Sequence, residues 1–334
     1  MNDGVVIWGA GAWGTALALH LAKKRLPVAL WVYEGEQFEL MVRTRENPDF
    51  LPGFSLPENI TLFHDPGHAP SEAKAWVSVS PAQATRALWR TIGAACPAGT
   101  LVISASKGIE QGSLLPVSAL IEEHLGLSCG PVVVLSGPSF AHGLAAGDPT
   151  AVVLACPELA RAEAAQNLLS SPPLRGYTSP DRTGVELGGA VKNIIALACG
   201  MAAGLGFGPN TLAALITRGL REIVRLGSSL GADSHTFSGL SGIGDLVLTC
   251  TGGESRNRTV GFRLGRGETL DAILSSMKMV AEGVPTTRSV ADMARKGGVE
   301  MPITFAVERI LFEGLSPGRA LEELLSRELK VEIS

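Results

Sequence analysis

The sequence lacks any excess of positive charge. Its 334 residues include 28 lysines and arginines against 32 aspartates and glutamates, which gives a formal net charge of −4. Proteins that bind nucleic acids usually present a basic surface to the phosphate backbone. The composition therefore predicts no nucleic-acid partner, and any phosphate-binding lysine or arginine has to act locally.

Cysteine and histidine show no metal-binding pattern. The five cysteines are scattered and contain no C-x-x-C pair, so we expect reduced, mostly buried thiols in a cytoplasmic protein. His64 and His68 are four residues apart, but Pro66 and Gly67 lie between them and exclude a shared helical face. We predict no metal site.

Long hydrophobic runs are also rare. The chain enters a predicted strand at once, without the pattern of a secretory signal. Residues 193–217 are uncharged and long enough to cross a bilayer, but Gly206, Gly208 and Pro209 interrupt them. This segment is more typical of a buried helix, a loop and a second helix, so we expect no membrane insertion.

Aromatic residues make up only 5% of the chain, whereas 40 residues are glycine and 46% are hydrophobic. Such a composition predicts a core of alanine, valine and leucine with close backbone contacts. The length is sufficient for two domains, each with its own core.

Three glycines follow the first apolar run. Residues 5–8 predict a short strand, Gly9, Gly11 and Gly14 follow it, and a helical pattern continues from Thr15. In the dinucleotide-binding fingerprint the first glycine allows a tight turn, and the second lets the backbone approach a pyrophosphate. The third lets the helix pack close to the strand. The helix N-terminus then directs free N–H groups at the phosphates. The sequence predicts a nucleotide site here.

A second apolar run, residues 28–32, ends in Tyr33 and Glu34. Glu34 lies twenty residues beyond Gly14, which is near the spacing of the acid that binds ribose hydroxyls in this type of site.

Strand and helix signals alternate in the first half of the chain, whereas long helices rich in alanine, leucine and glycine follow. The fold class is therefore α/β, an N-terminal Rossmann-type doubly wound sheet with an all-α C-terminal domain. The division falls at residues 179–181, giving a dinucleotide-binding domain 1–180 and a helical substrate-binding domain 181–334. Further strands are predicted at 75–79, 101–104, 132–135 and 151–154, the last one antiparallel. Helices are predicted at 36–45, 82–92, 184–200, 211–227, 270–277, 289–296, 303–312 and 317–325, and residues 47–59 are predicted to form a loop.

Lys192 is the one charged residue in an apolar stretch of small side chains, and Gly188 and Gly189 precede it by one turn. A buried lysine is rare unless it is paired or functional, and burial lowers its pKa towards values useful for proton transfer. The alternatives are a side chain that reaches the surface or a structural ion pair. Asp245 is a similar lone acid, which either balances a buried ammonium group or caps the helix that begins after it.

Other polar groups follow predicted strands or glycines. Lys107 and the pair Gly137 and Ser139 come after strands, where open α/β sheets bind ligands. Arg256, beside Ser255 and Asn257, suits a phosphate or a carboxylate. Each of these sites is also compatible with an ordinary turn or a solvated loop.

Together these segments resemble the bacterial NAD(P)-dependent glycerol-3-phosphate dehydrogenases. The motifs GAGAWG, SKG, SGPSFA, GVELGGAVKN, GLGFGPN, ALITRGL, GDLVLTCT, SRNR and VAEG occur in the family's order and cover nearly the whole chain. The resemblance implies an enzyme that interconverts dihydroxyacetone phosphate and glycerol 3-phosphate for phospholipid synthesis, with NAD or NADP as cofactor.

The resemblance also implies roles for individual residues. Lys192 would be the proton donor and acceptor, Lys107 a second catalytic lysine, and Asp245 the acid that supports Lys192. The implied substrate contacts are Lys107, Gly137, Ser139, Lys192, Asp245, Thr249, Ser255, Arg256 and Asn257, with Arg256 and Asn257 holding the phosphate. The cofactor contacts, including the glycines of the fingerprint, are Gly9, Gly11, Ala12, Trp13, Gly14, Tyr33, Lys107, Ala141, Arg256, Val280 and Glu282.

Many family members carry arginine where Tyr33 stands. Tyr33 brings no positive charge for the extra phosphate of NADP, and Glu34 beside it is negative, so we expect a preference for NAD unless Arg43 or Arg45 substitutes. Two other functions fit less well. A related dehydrogenase acting on a hydroxy acid or an acyl-CoA would not need the SRNR segment, and a nucleotide sensor would not need Lys192, Asp245 and Lys107 together. The sequence leaves the oligomeric state open, and a homodimer is compatible with it.

Overall fold

A computed structural model describes residues 4–328 and 331–332. Its N-terminal part is organised around one eight-stranded sheet. The strands of the chain are β1 Val5–Trp8, β2 Val28–Trp31, β3 Glu46–Asn47, β4 Leu51–Ser55, β5 Ile60–Phe63, β6 Ala75–Ser78, β7 Leu101–Ser104, β8 Val133–Ser136, β9 Thr150–Ala155 and β10 Leu174–Ser179. The order across the sheet is β10-β9-β8-β7-β6-β1-β2-β5, and β3 pairs only with β4.

All neighbouring strands of the large sheet are parallel except β8 and β9. From β1 the chain first builds the sheet outward to β2 and β5, and then crosses to the other side of β1 with β6. The order of strands therefore reverses between β1 and β6, and open α/β sheets bind their ligands at the carboxyl ends of the strands at such a point.

The helices of this part are α1 Ala12–Lys23, α2 Gly35–Thr44, α3 Ala82–Ile92, α4 Val117–Glu122, α5 Ala141–Ala146 and α6 Leu159–Leu169. Side chains of β1 alternate between two separate cores. Val5 and Ile7 pack with residues of α1, α5 and α6, whereas Val6 and Trp8 pack with residues of α3 and α4. Both faces of the sheet are covered, as its predominantly apolar strands require.

Four of the five tryptophans lie in the second of these cores. The ring of Trp8 lies 5.0 Å from that of Trp76, 5.7 Å from that of Trp31 and 5.5 Å from that of Phe63, all in tilted or edge-on arrangements. Such arrangements suit the quadrupoles of the rings. The first core is filled mostly by alanine, valine and leucine, as the composition indicates.

The C-terminal part is helical. Its helices are α7 Arg182–Gly204, α8 Pro209–Ser229, α9 Asp245–Thr251, α10 Arg256–Gly265, α11 Leu270–Ser275, α12 Gly283–Gly297, α13 Pro302–Phe312 and α14 Pro317–Leu325. Only α7, among the described residues, is long and apolar enough to span a membrane, and 94% of that window is buried inside the protein. It is the central helix of this part, followed by a loop and then α8, which confirms the prediction for residues 193–217.

Helix α10 packs on α7 at backbone distance. A Cβ atom at Gly200 would lie 2.1 Å from the carbonyl oxygen of Arg258, and one at Gly261 would lie 2.1 Å from that of Leu197. Since any side chain would separate the two helices, glycine at these positions brings the Arg256 end of α10 close to α7.

The predicted fold class is confirmed, including the antiparallel strand β9. Residues 47–59, predicted to be a loop, instead contain most of the hairpin β3–β4, so that prediction was wrong in part. The pattern also missed β5 and β10, because both are edge strands in which exposed residues interrupt the apolar run. The predicted helices after residue 181 are all present with ends that differ by up to six residues.

Candidate active site

The glycine turn after β1 is shaped by two close contacts. Gly9 has a φ of +127°, and a Cβ atom there would lie 2.9 Å from the carbonyl oxygen of Val79. A Cβ atom at Gly14 would lie 1.9 Å from the carbonyl oxygen of Gly9. At Gly11, however, a Cβ atom would meet nothing within 4 Å. The turn is therefore closed on the protein side and open at Gly11, which fits the approach of a pyrophosphate.

Two side chains that the sequence did not indicate brace this turn. The buried Asn47 Nδ2 donates to the carbonyl oxygen of Ala10 at 2.9 Å and to Thr15 Oγ1 at 2.8 Å. Gln37 Nε2 donates to the same Ala10 oxygen at 2.9 Å. Nothing in the pattern marked either residue, because each is a single amide more than twenty residues from the glycine turn along the chain.

The other predicted cofactor contacts surround the same end of the sheet. Ala12 and Trp13 begin α1, where the first N–H groups have no partner within the helix. Tyr33 follows β2 and is 68% exposed, and Glu34 is the exposed N-cap of α2 with no hydrogen bond from its side chain to that helix. Ala141 begins α5. These positions leave the turn accessible from solvent.

Arg45, one of the two residues that could have held the extra phosphate of NADP, lies at the wrong end of the sheet. Its guanidinium donates to the carbonyl oxygens of Pro57 at 2.6 Å and Ile60 at 2.9 Å, at the start of β5. Tyr33 follows the end of the parallel neighbour β2. Arg43 lies eight residues along α2 from Gly35, about 12 Å at the helical rise. Arg45 is therefore held by backbone carbonyl groups, and Arg43 begins about two turns of α2 away from Tyr33.

A buried carboxylate joins two lysines from different parts of the chain. Lys192, on α7, donates from Nζ to Asp245 Oδ1 and to Thr249 Oγ1, the latter at 2.8 Å. Lys107, which follows β7, donates to Asp245 Oδ2 at 2.7 Å and lies 3.4 Å from the carbonyl oxygen of Gly137. The side chains of Lys192 and Asp245 are 7% and 1% exposed, whereas that of Lys107 is 19% exposed.

Burial and like charge shape the ionisation of this cluster. Burial lowers the pKa of Lys192 to about 7, and the positive charge of Lys107 adds to this effect while Asp245 opposes it. Burial alone would raise the pKa of Asp245, but the two ammonium groups outweigh it and hold that pKa below its usual value. At neutral pH the cluster therefore contains an ionised carboxylate and a lysine able to give or take a proton.

This geometry excludes two of the alternatives that the sequence left open, a surface position for Lys192 and a helix cap for Asp245. The Lys192 side chain does not reach the surface, and it is ion-paired with Asp245. Asp245 does not cap a helix, since it is the first residue of α9, and the N-cap is Gly244. The carboxylate of Asp245 balances buried ammonium groups.

Glycines explain how α7 approaches the sheet closely enough. A Cβ atom at Gly189 would lie 2.6 Å from Ser136 Oγ at the end of β8, and one at Gly188 would lie 2.5 Å from the carbonyl oxygen of Ser241. Gly137 has a φ of +142°, and a Cβ atom there would lie 2.9 Å from the Cα of Val152. Larger residues at these positions would move Lys192 away from Lys107.

The segment that contains Arg256 forms another side of the site. Ser255 caps α10, because its Oγ accepts a hydrogen bond from Arg258 N at 3.2 Å. Asn257 is buried, and its Oδ1 accepts from Gly283 N at 2.9 Å, whereas its amide nitrogen makes no hydrogen bond within the described residues. Arg256 is exposed, so its charge is accessible.

Glu282 crosses between the two parts of the molecule. Its Oε1 accepts a hydrogen bond from Ala82 N at the start of α3, at 3.2 Å, while its buried Oε2 has no partner in the described structure. Burial raises the pKa of Glu282 to about 7, although Ala82 N–H and the charge of Arg256 oppose this. An unpartnered buried oxygen needs a donor, which a bound dinucleotide could supply.

The predicted residues thus fall into three groups. The structure joins Lys107, Gly137, Lys192, Asp245 and Thr249 by direct contacts, and Ser139 Oγ donates to the carbonyl oxygen of Gly137 at 3.0 Å. The glycine turn and the segment around Arg256 are separate groups. Val280 is 48% exposed and contributes no hydrogen bond in the described residues. No cluster of three His, Cys, Asp or Glu side chains able to hold a metal ion occurs between residues 4 and 328.

Comparisons with known proteins identify a family for both parts of the chain. Sequence models of the N-terminal and C-terminal domains of NAD-dependent glycerol-3-phosphate dehydrogenase match residues 4–162 and 181–322. The chain belongs to this family.

Curated relatives of high identity match this chain over nearly the full length of both proteins. A glycerol-3-phosphate dehydrogenase [NAD(P)+] of Nitratidesulfovibrio vulgaris is 48% identical over 98% of this chain and 99% of its own, and one of Geobacter sulfurreducens is 47% identical over 99% of both. The crystal structure of glycerol-3-phosphate dehydrogenase from Coxiella burnetii, 39% identical, superposes with a TM-score of 0.92 over 98% of this chain and 99% of that one. The resemblance inferred from the motifs is confirmed.

Proposed function

We propose that this NAD(P)-dependent glycerol-3-phosphate dehydrogenase interconverts dihydroxyacetone phosphate and sn-glycerol 3-phosphate by hydride transfer, with Lys192 as the proton donor and acceptor. The nicotinamide dinucleotide, when bound, supplies or accepts the hydride. The observation that carries the proposal is the buried lysine pair on Asp245, with the pKa of Lys192 lowered to about 7.

Each member of this cluster has a distinct part in the proposed chemistry. In the reductive direction the ammonium group of Lys192 gives a proton to the carbonyl oxygen of the substrate as negative charge develops there. Lys107, more exposed, stabilises that oxygen and contacts both substrate and cofactor. Asp245 holds both ammonium groups in position, and Thr249 Oγ1 accepts a second hydrogen bond from Lys192.

The phosphate of the substrate needs positive charge and N–H donors. Arg256 offers an accessible guanidinium, and Asn257 offers the amide nitrogen that its bond to Gly283 leaves free. Guanidinium groups bind phosphate by charge-assisted, often bidentate hydrogen bonds. We assign the phosphate to these two residues, with Ser255, Gly137 and Ser139 lining the rest of the substrate site.

We assign the dinucleotide to residues 1–180 and the substrate mainly to residues 181–334. The glycine turn, Ala12, Trp13, Tyr33 and Ala141 contact the cofactor on one side, and Arg256, Val280 and Glu282 complete its site from the helical part. Since Glu34 is negative and Arg45 is held by the carbonyl oxygens of Pro57 and Ile60, we assign NAD as the preferred cofactor.

Parallel assays with different cofactors and substrates test these assignments. The enzyme should oxidise NADH with dihydroxyacetone phosphate, faster than NADPH at equal concentration, and should not act on 2-oxo acids or acyl-CoA thioesters. A clear preference for NADPH would contradict the cofactor assignment. Turnover with a 2-oxo acid comparable to that with dihydroxyacetone phosphate would contradict the substrate assignment.

We further propose that the enzyme works in the cytoplasm, where glycerol 3-phosphate is needed for phospholipid synthesis. The free thiols of all five cysteines, four of them buried, suit a reducing compartment. A homodimer remains a prediction, and light scattering of the purified protein tests it. A molecular mass near 34.8 kDa in solution would contradict it.

A further inference from the structure

Glu186 is a buried carboxyl group that the proposed chemistry does not use. It lies on α7, six residues before Lys192, and is 6% exposed. Its Oε1 accepts a hydrogen bond from Ser118 N at 2.8 Å, and its Oε2 accepts one from Ser118 Oγ at 2.6 Å. Since Ser118 lies in the first turn of α4, this carboxylate joins the helical part to the sheet part.

The partner of Glu186 stands at the end of the segment that carries Lys107. After β7 the chain passes through Lys107 and turns back, with Glu110 N donating to the carbonyl oxygen of Leu115 at 3.0 Å. A bridge between Ile109 and Pro116 closes the turn, and α4 begins at the next residue. Glu186 therefore links α7, which carries Lys192, to α4, which directly follows the closed turn after Lys107.

A second link holds the other end of α4. Arg182, the first residue of α7, donates from Nη1 to Glu122, the last residue of α4, and to the carbonyl oxygen of Val132 at 3.2 Å. Glu186 and Arg182 are four residues apart on α7, so they contact the same helix at both of its ends. This arrangement prevents α7 from sliding along the sheet.

We propose that Glu186 is a positioning residue that holds Lys192 opposite Lys107 through Ser118. Both lysines must reach the two oxygens of one carboxylate, so a small shift of α7 would separate them. A buried carboxyl group that is held only by hydrogen bonds from Ser118 is costly, and apolar packing would join two helices at a lower cost. The inference rests on the proposed role of Lys192.

Glu222 provides a matched control. It is also a buried glutamate, 1% exposed, and its carboxylate accepts hydrogen bonds from Ile303 N at 2.5 Å and from Thr304 N at 3.1 Å. It thus holds the N-terminus of α13 as Glu186 holds that of α4. Neither α8 nor α13 carries a residue assigned to the site, so Glu222 separates an effect on stability from one on positioning.

The experiment compares Glu186→Met and Ser118→Ala with Glu222→Met in the full-length enzyme. Methionine has a similar length but lacks the two oxygens that accept the hydrogen bonds of each glutamate. Misplacement of a reacting group by about 1 Å costs up to about 100-fold in rate, so kcat for dihydroxyacetone phosphate should fall by about 10- to 100-fold in Glu186→Met, with the KM for NADH within about twofold. Because the charge of Lys107 helps to lower the pKa of Lys192, the midpoint of the pH–rate profile should move upward. Glu222→Met should lower the melting temperature but keep kcat and the midpoint.

One set of results would contradict the proposal. If Glu186→Met and Ser118→Ala lower the melting temperature as Glu222→Met does, and leave kcat and the pH midpoint unchanged, Glu186 is only a structural link. Should Glu186→Met fail to fold, Ser118→Ala decides, since it keeps the bond from the Ser118 backbone. A Lys192→Met enzyme with normal turnover would instead contradict the proposed role of Lys192, so the two failures are distinguishable.

Discussion

The two halves of the candidate site are built from different chemical groups. The dinucleotide half consists of backbone groups. Three glycines shape a turn, and the first N–H groups of the helix that follows have no partner within that helix. The substrate half consists of charged side chains, two lysines paired with one aspartate, so one positive charge is left over when both lysines are protonated. The first half is open and incomplete, whereas the second is buried and preformed.

This difference separates the sources of binding and of catalysis. The glycine turn has no space for a side chain at Gly9 and Gly14, but it contains no buried charge that would lower the stability of the fold. The lysine cluster holds three charges out of water, which is unfavourable for folding but lowers the pKa of Lys192 into a useful range. Stability and activity should therefore respond in opposite ways to changes in the two halves.

The largest effect is expected for Lys192→Met. Loss of a general acid costs at least about 100-fold in turnover, so kcat should fall by that factor or more. Asp245 keeps its bond to Lys107, so no buried charge is left unpaired, and the melting temperature should stay level or rise. Kinetics and thermal unfolding measure both, with exposed Lys296→Met as the control. A lower melting temperature without a loss of turnover would show that Lys192 contributes to stability and not to catalysis.

A pair of glycine variants tests the other half. Gly14→Ala places a Cβ atom 1.9 Å from the carbonyl oxygen of Gly9, and such overpacking should cost about 1–3 kcal/mol or more of stability. Gly11→Ala meets no protein atom within 4 Å, so it should fold normally but bind NADH at least about tenfold more weakly. Thermal unfolding and titration with NADH separate the two. Equal stability of both variants would contradict the assigned geometry.

The pH dependence should show the titration of Lys192. The proton donor is present below its pKa of about 7, so kcat for reduction should fall by about tenfold per pH unit above that value. Oxidation of glycerol 3-phosphate needs the neutral amine, so its rate should fall below the same pH. Profiles measured in both directions check this. Parallel profiles in the two directions would show that another group titrates.

The smallest effect is expected for Tyr33→Arg. An exposed arginine beside the ribose adds a charge-assisted hydrogen bond to the extra phosphate of NADPH, which should raise kcat/KM for NADPH relative to NADH by roughly tenfold. Stability should not change, because Tyr33 is 68% exposed. Arg43→Ala serves as the control and should leave the ratio unchanged. A changed ratio in that variant would place the phosphate further along α2.

The sequence predicted the parts of the fold that depend on local patterns. Apolar runs located the inner strands, and glycine, proline and apolar periodicity located the long helices. It missed β10 and β5 at the edges of the sheet, because edge strands bury fewer side chains and their pattern is weaker. It also missed the hairpin β3–β4, since two short strands rich in proline and glycine look like a loop.

The site followed the same division. Gly9, Gly11 and Gly14 carry their function in their spacing, and Lys192 was marked as a lone charge among small residues. Asp245 was ambiguous, because its neighbours suit a helix cap as well as an ion pair. The identity of the substrate was predicted only from the resemblance to a family, since no spacing of residues in one chain specifies a phosphorylated triose.

By itself the sequence determined where a dinucleotide could meet the backbone, because that contact depends on glycines a few residues apart. Only the tertiary structure decided that Lys107 and Lys192 share one carboxylate, and that Glu186 ties their two segments together through Ser118. These groups are up to 138 residues apart, and their distances depend on how α7 packs against the sheet. A local pattern encodes backbone conformation, whereas the packing of distant elements sets the separation of charges and therefore the pKa of the lysine that the chemistry needs.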